Sequence, residues 1–247
     1  MKHFIFDLYG TLIDIRTDEE DIRLYERMAV WYAYFGAVYK ADELKETYFR
    51  MVREEQERIG GRWPEPDIGD VFVRILKEKS GNCENEVVWE KETARLFRSF
   101  SMRKLRLYDG VPELLSRLKK DGKGVWLLSN AQTLFTLPEI RKTGILPYFD
   151  GIFISSDHGI KKPDPAFMEK LLKTYNLPKE ECVMIGNDFR TDIQSAYSSG
   201  MKSIFINSDG YTKIQLSRMC TGYNGTVEIL ESIKDMTEEE YYARLAA

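Results

Sequence analysis

Five short apolar runs constrain this chain more than any other feature: residues 3–6, 125–128, 151–155, 182–185 and 203–206. Each is too short for a globular helix and is apolar almost without interruption. A strand with one face in water alternates, whereas a strand buried on both faces does not. Stretches of helical length separate the last four runs. The pattern predicts an α/β fold, a doubly wound parallel sheet with helices on both faces.

Ligands of such a sheet gather outside the carboxyl ends of its strands, so the residues that follow each run come first. The first run leads into Asp7-Leu8-Tyr9-Gly10-Thr11, and the second ends at Ser129-Asn130. Lys161-Lys162-Pro163-Asp164-Pro165 lies beyond the third, and Gly186-Asn187-Asp188-Phe189-Arg190-Thr191-Asp192 follows the fourth. A carboxylate placed like Asp7 can serve as nucleophile, metal ligand or both. Gly10 allows a sharp turn, and Thr11 offers a hydroxyl beside the acid. Taken singly, each residue also has an ordinary use: Ser129 in a turn, Lys162 in solvent, Asp188 as a helix cap.

Residues 14–103 read differently. Ile22, Tyr25, Met28, Ala29 and Tyr32 recur at helical spacing up to Gly36. A second helix, with Asp42 as its expected cap, runs through Leu44, Tyr48, Met51 and Val52 towards Ile59. Gly60-Gly61-Arg62-Trp63-Pro64-Glu65-Pro66 then breaks the pattern, and two more helices are predicted over 68–79 and 84–99. The expected organisation is a core of residues 1–13 and 104–247 with a helical domain, 14–103, inserted into it. In the core, helices are predicted over 111–120, 135–143, 165–175 (with Asp164 as cap and Pro165 first), 190–199 and 235–245.

At 247 residues, 43% hydrophobic and 13% aromatic, the chain can bury a substantial core. A net charge of −4 with interspersed acids and bases argues against a nucleic-acid footprint. Cys83, Cys182 and Cys220 are odd in number and far apart, as free thiols in a reducing compartment would be. With no apolar run of membrane length and no leader, a cytoplasmic protein without a membrane partner is expected, monomer or homodimer.

The four strand-end clusters, in this order, resemble the four motifs of the haloacid dehalogenase superfamily, with its helical cap between the first two. The resemblance covers about residues 1–13 and 104–210. It implies that Asp7 attacks the substrate, forming a covalent aspartyl intermediate that water hydrolyses. Ser129 would donate to the transferring group, and Lys162 would neutralise charge on it and on the nucleophile. Asp188, with help from Asn187, would complete a Mg²⁺ site with Asp7 and the backbone carbonyl of Tyr9. Asp192, one helical turn past Asp188, would orient Lys162 or a metal-bound water. Tyr9, Gly10, Thr11 and Asn130 would line the substrate, with Arg62 in the Gly60 to Asp67 loop as a candidate anion grip.

Two departures pull the resemblance in different directions. Phosphatases of this superfamily carry an acid two residues after the nucleophile, where this chain has Tyr9. A phenol titrates near 10 and a carboxyl near 4, so Tyr9 is poorly matched to acid–base work at neutral pH. The first motif of the dehalogenases has Tyr there, and halide leaves without a proton. Against this, Asp188 and Asp192 keep the acids that dehalogenases give up, although Gly-Asn-Asp replaces the commoner Gly-Asp. The expectation is a Mg²⁺-dependent phosphatase acting on a small organic phosphate. The alternatives are a metal-independent 2-haloacid dehalogenase and a weakly catalytic protein that binds a phosphorylated ligand.

Overall fold

Phe4, Ile5 and Phe6 are wholly buried because the strand they form lies in the middle of a sheet. The computed structural model describes residues 1–223 and 225–246. In chain order, β1 (His3–Phe6) and β2 (Ile13–Thr17) precede four helices: α1 (Ile22–Tyr34), α2 (Ala41–Ile59), α3 (Ile68–Ser80) and α4 (Glu86–Ser101). Then come β3 (Met102–Leu107), α5 (Val111–Lys120), β4 (Gly124–Ser129), α6 (Thr133–Lys142), β5 (Gly151–Ile154) and α7 (Pro165–Thr174). The chain continues through β6 (Cys182–Gly186), α8 (Gln194–Ser198), β7 (Lys202–Ile206), α9 (Lys213–Met219), β8 (Val227–Leu230) and α10 (Glu239–Ala246).

Six strands form one parallel sheet in the order β5-β4-β1-β6-β7-β8. The chain builds outward from β1 on one side through β4 and β5, then returns to β6 on the other. That reversal opens a crevice at the carboxyl end of β1. Alternation along β1 splits the core between the two faces. Phe4 and Phe6 meet Leu114, Leu115 and Leu118 of α5 together with Met236 and Tyr242 of the tail. Ile5 meets Trp126, Leu128, Phe167 and Leu171 on the other face.

The doubly wound sheet is therefore as the apolar runs predict, with a further strand, β8, at its edge. The stretch 14–103, expected to be helical throughout, begins and ends in strand. β2 and β3 pair as an antiparallel ribbon with Ile13 opposite Leu107 and Ile15 opposite Leu105. Asp14 binds Lys104 and Arg106 on the ribbon's polar face. Between its strands, α1–α4 close around a cluster that includes Tyr25, Met28, Phe72 and Phe97, joined by Phe135 of α6.

Asp42 is not the cap of α2. Lys40 holds that position, and Asp42 lies in the first turn, where a carboxylate suits the helix dipole. The helix expected over 190–199 starts as a wide turn, Phe189–Ile193, in which the Ile193 N–H reaches the Asp188 carbonyl, before α8 takes over. The helix expected over 235–245 divides into a short turn, Ile233–Thr237, and α10. No helix among the described residues is long and apolar enough to cross a membrane.

Candidate active site

The main-chain ladder carries one residue past β1, since the Asp7 N–H donates to the Ile185 carbonyl at 2.8 Å. The Asp7 carboxylate thus emerges at the sheet's carboxyl edge. A tight turn follows, with the Leu12 and Ile13 N–H groups both reaching the Leu8 carbonyl. Gly10 has φ +85°, and a Cβ there would stand 2.3 Å from Asn187 Nδ2. No other residue would suit both the backbone and the close approach.

Lys162 arrives from the loop before α7. Asn130, just beyond β4, grips both of its main-chain groups: Lys162 N donates to Asn130 Oδ1 at 2.8 Å, and Asn130 Nδ2 donates to the Lys162 carbonyl at 2.9 Å. So held, the ammonium spends its three donors on Asp7 Oδ1, Asp192 Oδ1 and the Leu128 carbonyl, each at 2.7 Å. Lys162 is 1% exposed. Asp192 Oδ2 accepts from the Asp188 N–H at 3.0 Å. A Cβ on Gly186 would stand 2.2 Å from that oxygen, so the end of β6 must lack a side chain.

Burial pushes the Asp192 carboxyl up to about 7, with Lys162 opposing this and Asp7 adding to it. Burial also works against the charge on Lys162, yet Asp192 and Asp7 outweigh it and hold its pKa above the ordinary lysine value. The two directions agree once charges are counted. One ammonium serves two carboxyl groups, so Lys162 stays charged while Asp192, buried beside the Asp7 carboxylate, holds its proton more tightly than a free carboxyl does.

The remaining predicted residues fall into two groups. Thr11 Oγ1 lies 3.3 Å from Asp7 Oδ2 and 3.2 Å from Asn187 Oδ1, which brings all three together. Ser129, at the end of β4, has a buried hydroxyl without a hydrogen-bond partner. Asp188 is exposed instead, and its carboxylate caps the wide turn by accepting from the Arg190 N–H at 2.7 Å. Arg62 is exposed too, lying over the Trp63 ring. Among the described residues no three His, Cys, Asp or Glu side chains cluster as a metal site. The oxygens of Asp7 and Asn187 still fit Mg²⁺, which takes one or two carboxylates and fills its other positions with water and phosphate.

Tyr9 is turned onto α6. Its hydroxyl donates to Glu139 and lies 3.1 Å from Thr136 Oγ1. Burial, then the Glu139 carboxylate, raise its pKa above that of a free phenol. Arg98 of α4 reaches the same carboxylate, with Nε 2.7 Å from Glu139 Oε1 but its N–H pointing off the line between them. Neither Glu139 nor Arg98 carries a motif that would have marked it in the sequence.

A second junction joins the helical insert to the core. Pro64 and Ile160 form an antiparallel bridge, flanked by Glu65 N–H to Gly159 carbonyl at 3.1 Å and Lys161 N–H to Trp63 carbonyl at 3.2 Å. The Glu65 carboxylate accepts from Gln132 Nε2 at 2.8 Å and lies 3.1 Å from Lys161 Nζ. Between the two junctions lies a crevice of about 350 Å³ whose walls include Tyr9, Glu19, Arg98, Asn130, Gln132 and Phe135.

A family model for haloacid dehalogenase-like hydrolases matches residues 1–200. Glyceraldehyde 3-phosphate phosphatase from Pyrococcus furiosus is 30% identical over 112 residues, 45% of this chain. The match spans about half of that relative, 47% of its length. Pyrimidine 5'-nucleotidase PynA from Streptococcus pneumoniae is 24% identical over 247 residues, covering 93% of this chain and 95% of its own. Among solved structures, a 2-haloacid dehalogenase from Pseudomonas syringae pv. Tomato DC3000 superposes with a TM-score of 0.67 at 20% identity, covering 99% of each chain.

Proposed function

Because the chain belongs to the haloacid dehalogenase-like hydrolases, we propose that it is a Mg²⁺-dependent phosphatase of small organic phosphates. Residues 1–13 and 104–247 act as the catalytic core in this reading, and 14–103 as its cap. The observation that carries it is the buried Asp7–Lys162–Asp192 group, in which one ammonium is already shared between two carboxyl groups. A phosphate dianion entering such a site needs a further cation, and the Asp7 and Asn187 oxygens are the side chains suited to hold it. Two curated relatives named as a phosphatase and a nucleotidase support the same substrate class.

Asp7 Oδ1 is pinned by Lys162, which leaves Oδ2 to attack phosphorus. The bond to the leaving oxygen breaks as the aspartyl phosphate forms, and water then releases inorganic phosphate and restores the carboxylate. Ser129 Oγ, without a partner inside the protein, donates to a phosphoryl oxygen, where a preoriented donor is most effective. Lys162 balances charge beside it, and Asn130 keeps Lys162 in place. Mg²⁺, when bound, offsets the repulsion between the anionic nucleophile and the phosphate. Asp192 is a positioning group for Lys162.

With Mg²⁺, 4-nitrophenyl phosphate should release phosphate, EDTA should stop it, and Asp7→Asn should lower it by roughly 10⁴-fold or more. Tyr9 favours a second reading, halide displacement. Chloride release from 2-chloropropionate in EDTA, with no phosphate release in Mg²⁺, would put a dehalogenase in place of the phosphatase. Binding of a phosphorylated compound without turnover of either kind would leave a binding protein.

A further inference from the structure

A departing alkoxide needs a proton; the Ser129 hydroxyl has no partner but is too weak an acid to give one up, and the stronger acids among the described residues around Asp7 are engaged elsewhere. Lys162 directs its three donors to Asp7, Asp192 and the Leu128 carbonyl. Asp192, although burial raises its carboxyl to about 7, has both oxygens turned to partners inside the protein, Oδ1 to Lys162 and Oδ2 to the Asp188 N–H. Tyr9 stands on the nucleophile turn itself, but its O–H is directed to Glu139 on α6, away from the reaction. Within the crevice, the Glu65 carboxyl is held by Gln132 and Lys161, and Glu19 lies 3.6 Å from Arg98.

We propose that this site is built for phosphates on weakly basic leaving groups, acyl phosphates foremost, which depart as anions without taking a proton. The proposal rests on the phosphatase reading and names its substrate class. The balance closes without a protein acid. Asp7 Oδ2 forms its bond to phosphorus, and the phosphorus–oxygen bond of the acyl phosphate breaks with its electron pair going to the departing carboxylate. Water then attacks the aspartyl phosphate, the Asp7–phosphorus bond breaks back to carboxylate, and both water protons leave on dihydrogen phosphate.

The test is a series at fixed Mg²⁺: acetyl phosphate, 4-nitrophenyl phosphate, phenyl phosphate and glycerol phosphate, with kcat/KM measured for each. The first two should exceed the last two by at least roughly 10²-fold, the scale of general acid help that is missing. Tyr9→Asp should narrow that gap by raising turnover of glycerol phosphate relative to acetyl phosphate. Comparable rates across the wild-type series overturn the proposal and leave the phosphatase standing, and so does a gap unmoved in a folded Tyr9→Asp. A flat series that turns steep in Glu65→Gln or Glu19→Gln assigns the acid to that residue and overturns it equally. No phosphate from any member ends the phosphatase reading, and this one with it. Should Tyr9→Asp fail to fold, the wild-type series decides alone.

Discussion

Lys162 is the residue on which the site's electrostatics turn. Replacing it by Met leaves Asp7 and Asp192 buried together without their shared donor. Breaking a buried pair in this way costs about 3–5 kcal/mol, to be read from urea denaturation. Adding Asp192→Asn to Lys162→Met should recover part of the loss, because one unpaired charge is then removed. Asp7, Ser129, Lys162 and Asp192 were legible in the sequence because each follows an apolar run, and the sheet's topology gathers strand ends. Which of Asn187 and Asp188 faces Asp7 was not legible. Adjacent residues point apart, and that Asp188 caps the wide turn while Asn187 lies against Gly10 is a matter of backbone conformation. Glu139 and Arg98 were hidden for another reason: an acid in one helix and a base in another meet only through packing.

At the scale of elements, the Trp63–Glu65 segment against Gly159–Lys161 offers a titration. Burial raises the Glu65 pKa above its ordinary 4.5, with Lys161 pulling the other way. A raised folded-state value means that the folded protein holds the proton more tightly than the unfolded chain. This contribution to stability is full below pH 4.5 and is lost as pH rises through the raised value. Urea midpoints of the wild type should therefore fall over that window, and those of Glu65→Gln should lack the step. Among the elements themselves, β1, β4, β5, β6 and β7 were legible from continuous apolar runs. β2 and β3 were not, because they are short and alternate with charge, as in Ile13-Asp14-Ile15-Arg16 and Leu105-Arg106-Leu107. β8, an edge strand of four half-buried residues, lacks the apolar continuity that marks an interior one.

Over the whole molecule, the helical cluster and the sheet's core meet beside the crevice, where Phe135 of α6 stacks on Phe97. Phe97→Ala, at the centre of the helical cluster, should cost about 3–5 kcal/mol. If α1–α4 fold as a unit, the fluorescence of Trp31 and Trp89, read with Trp63 and Trp126 replaced by Phe, should shift at lower urea than that of Trp126 of the sheet read alone. Paired cysteines at Pro64 and Ile160, oxidised to a bridge, should halt turnover until a reductant is added, because the insert could no longer part from the core. If the insert acts as the proposed cap, the ribbon of β2 and β3 gives its parting from the core a form. An insert tied on by two loose cords could tumble; one carried on a paired strap swings about a single line. The strap's root is the turn that follows Asp7, since Gly10 N–H reaches the Ile13 carbonyl and Tyr108 N–H the Leu12 carbonyl. Under the proposed function, whatever admits the substrate pivots a few residues from the carboxylate that attacks it, and entry and chemistry share one joint.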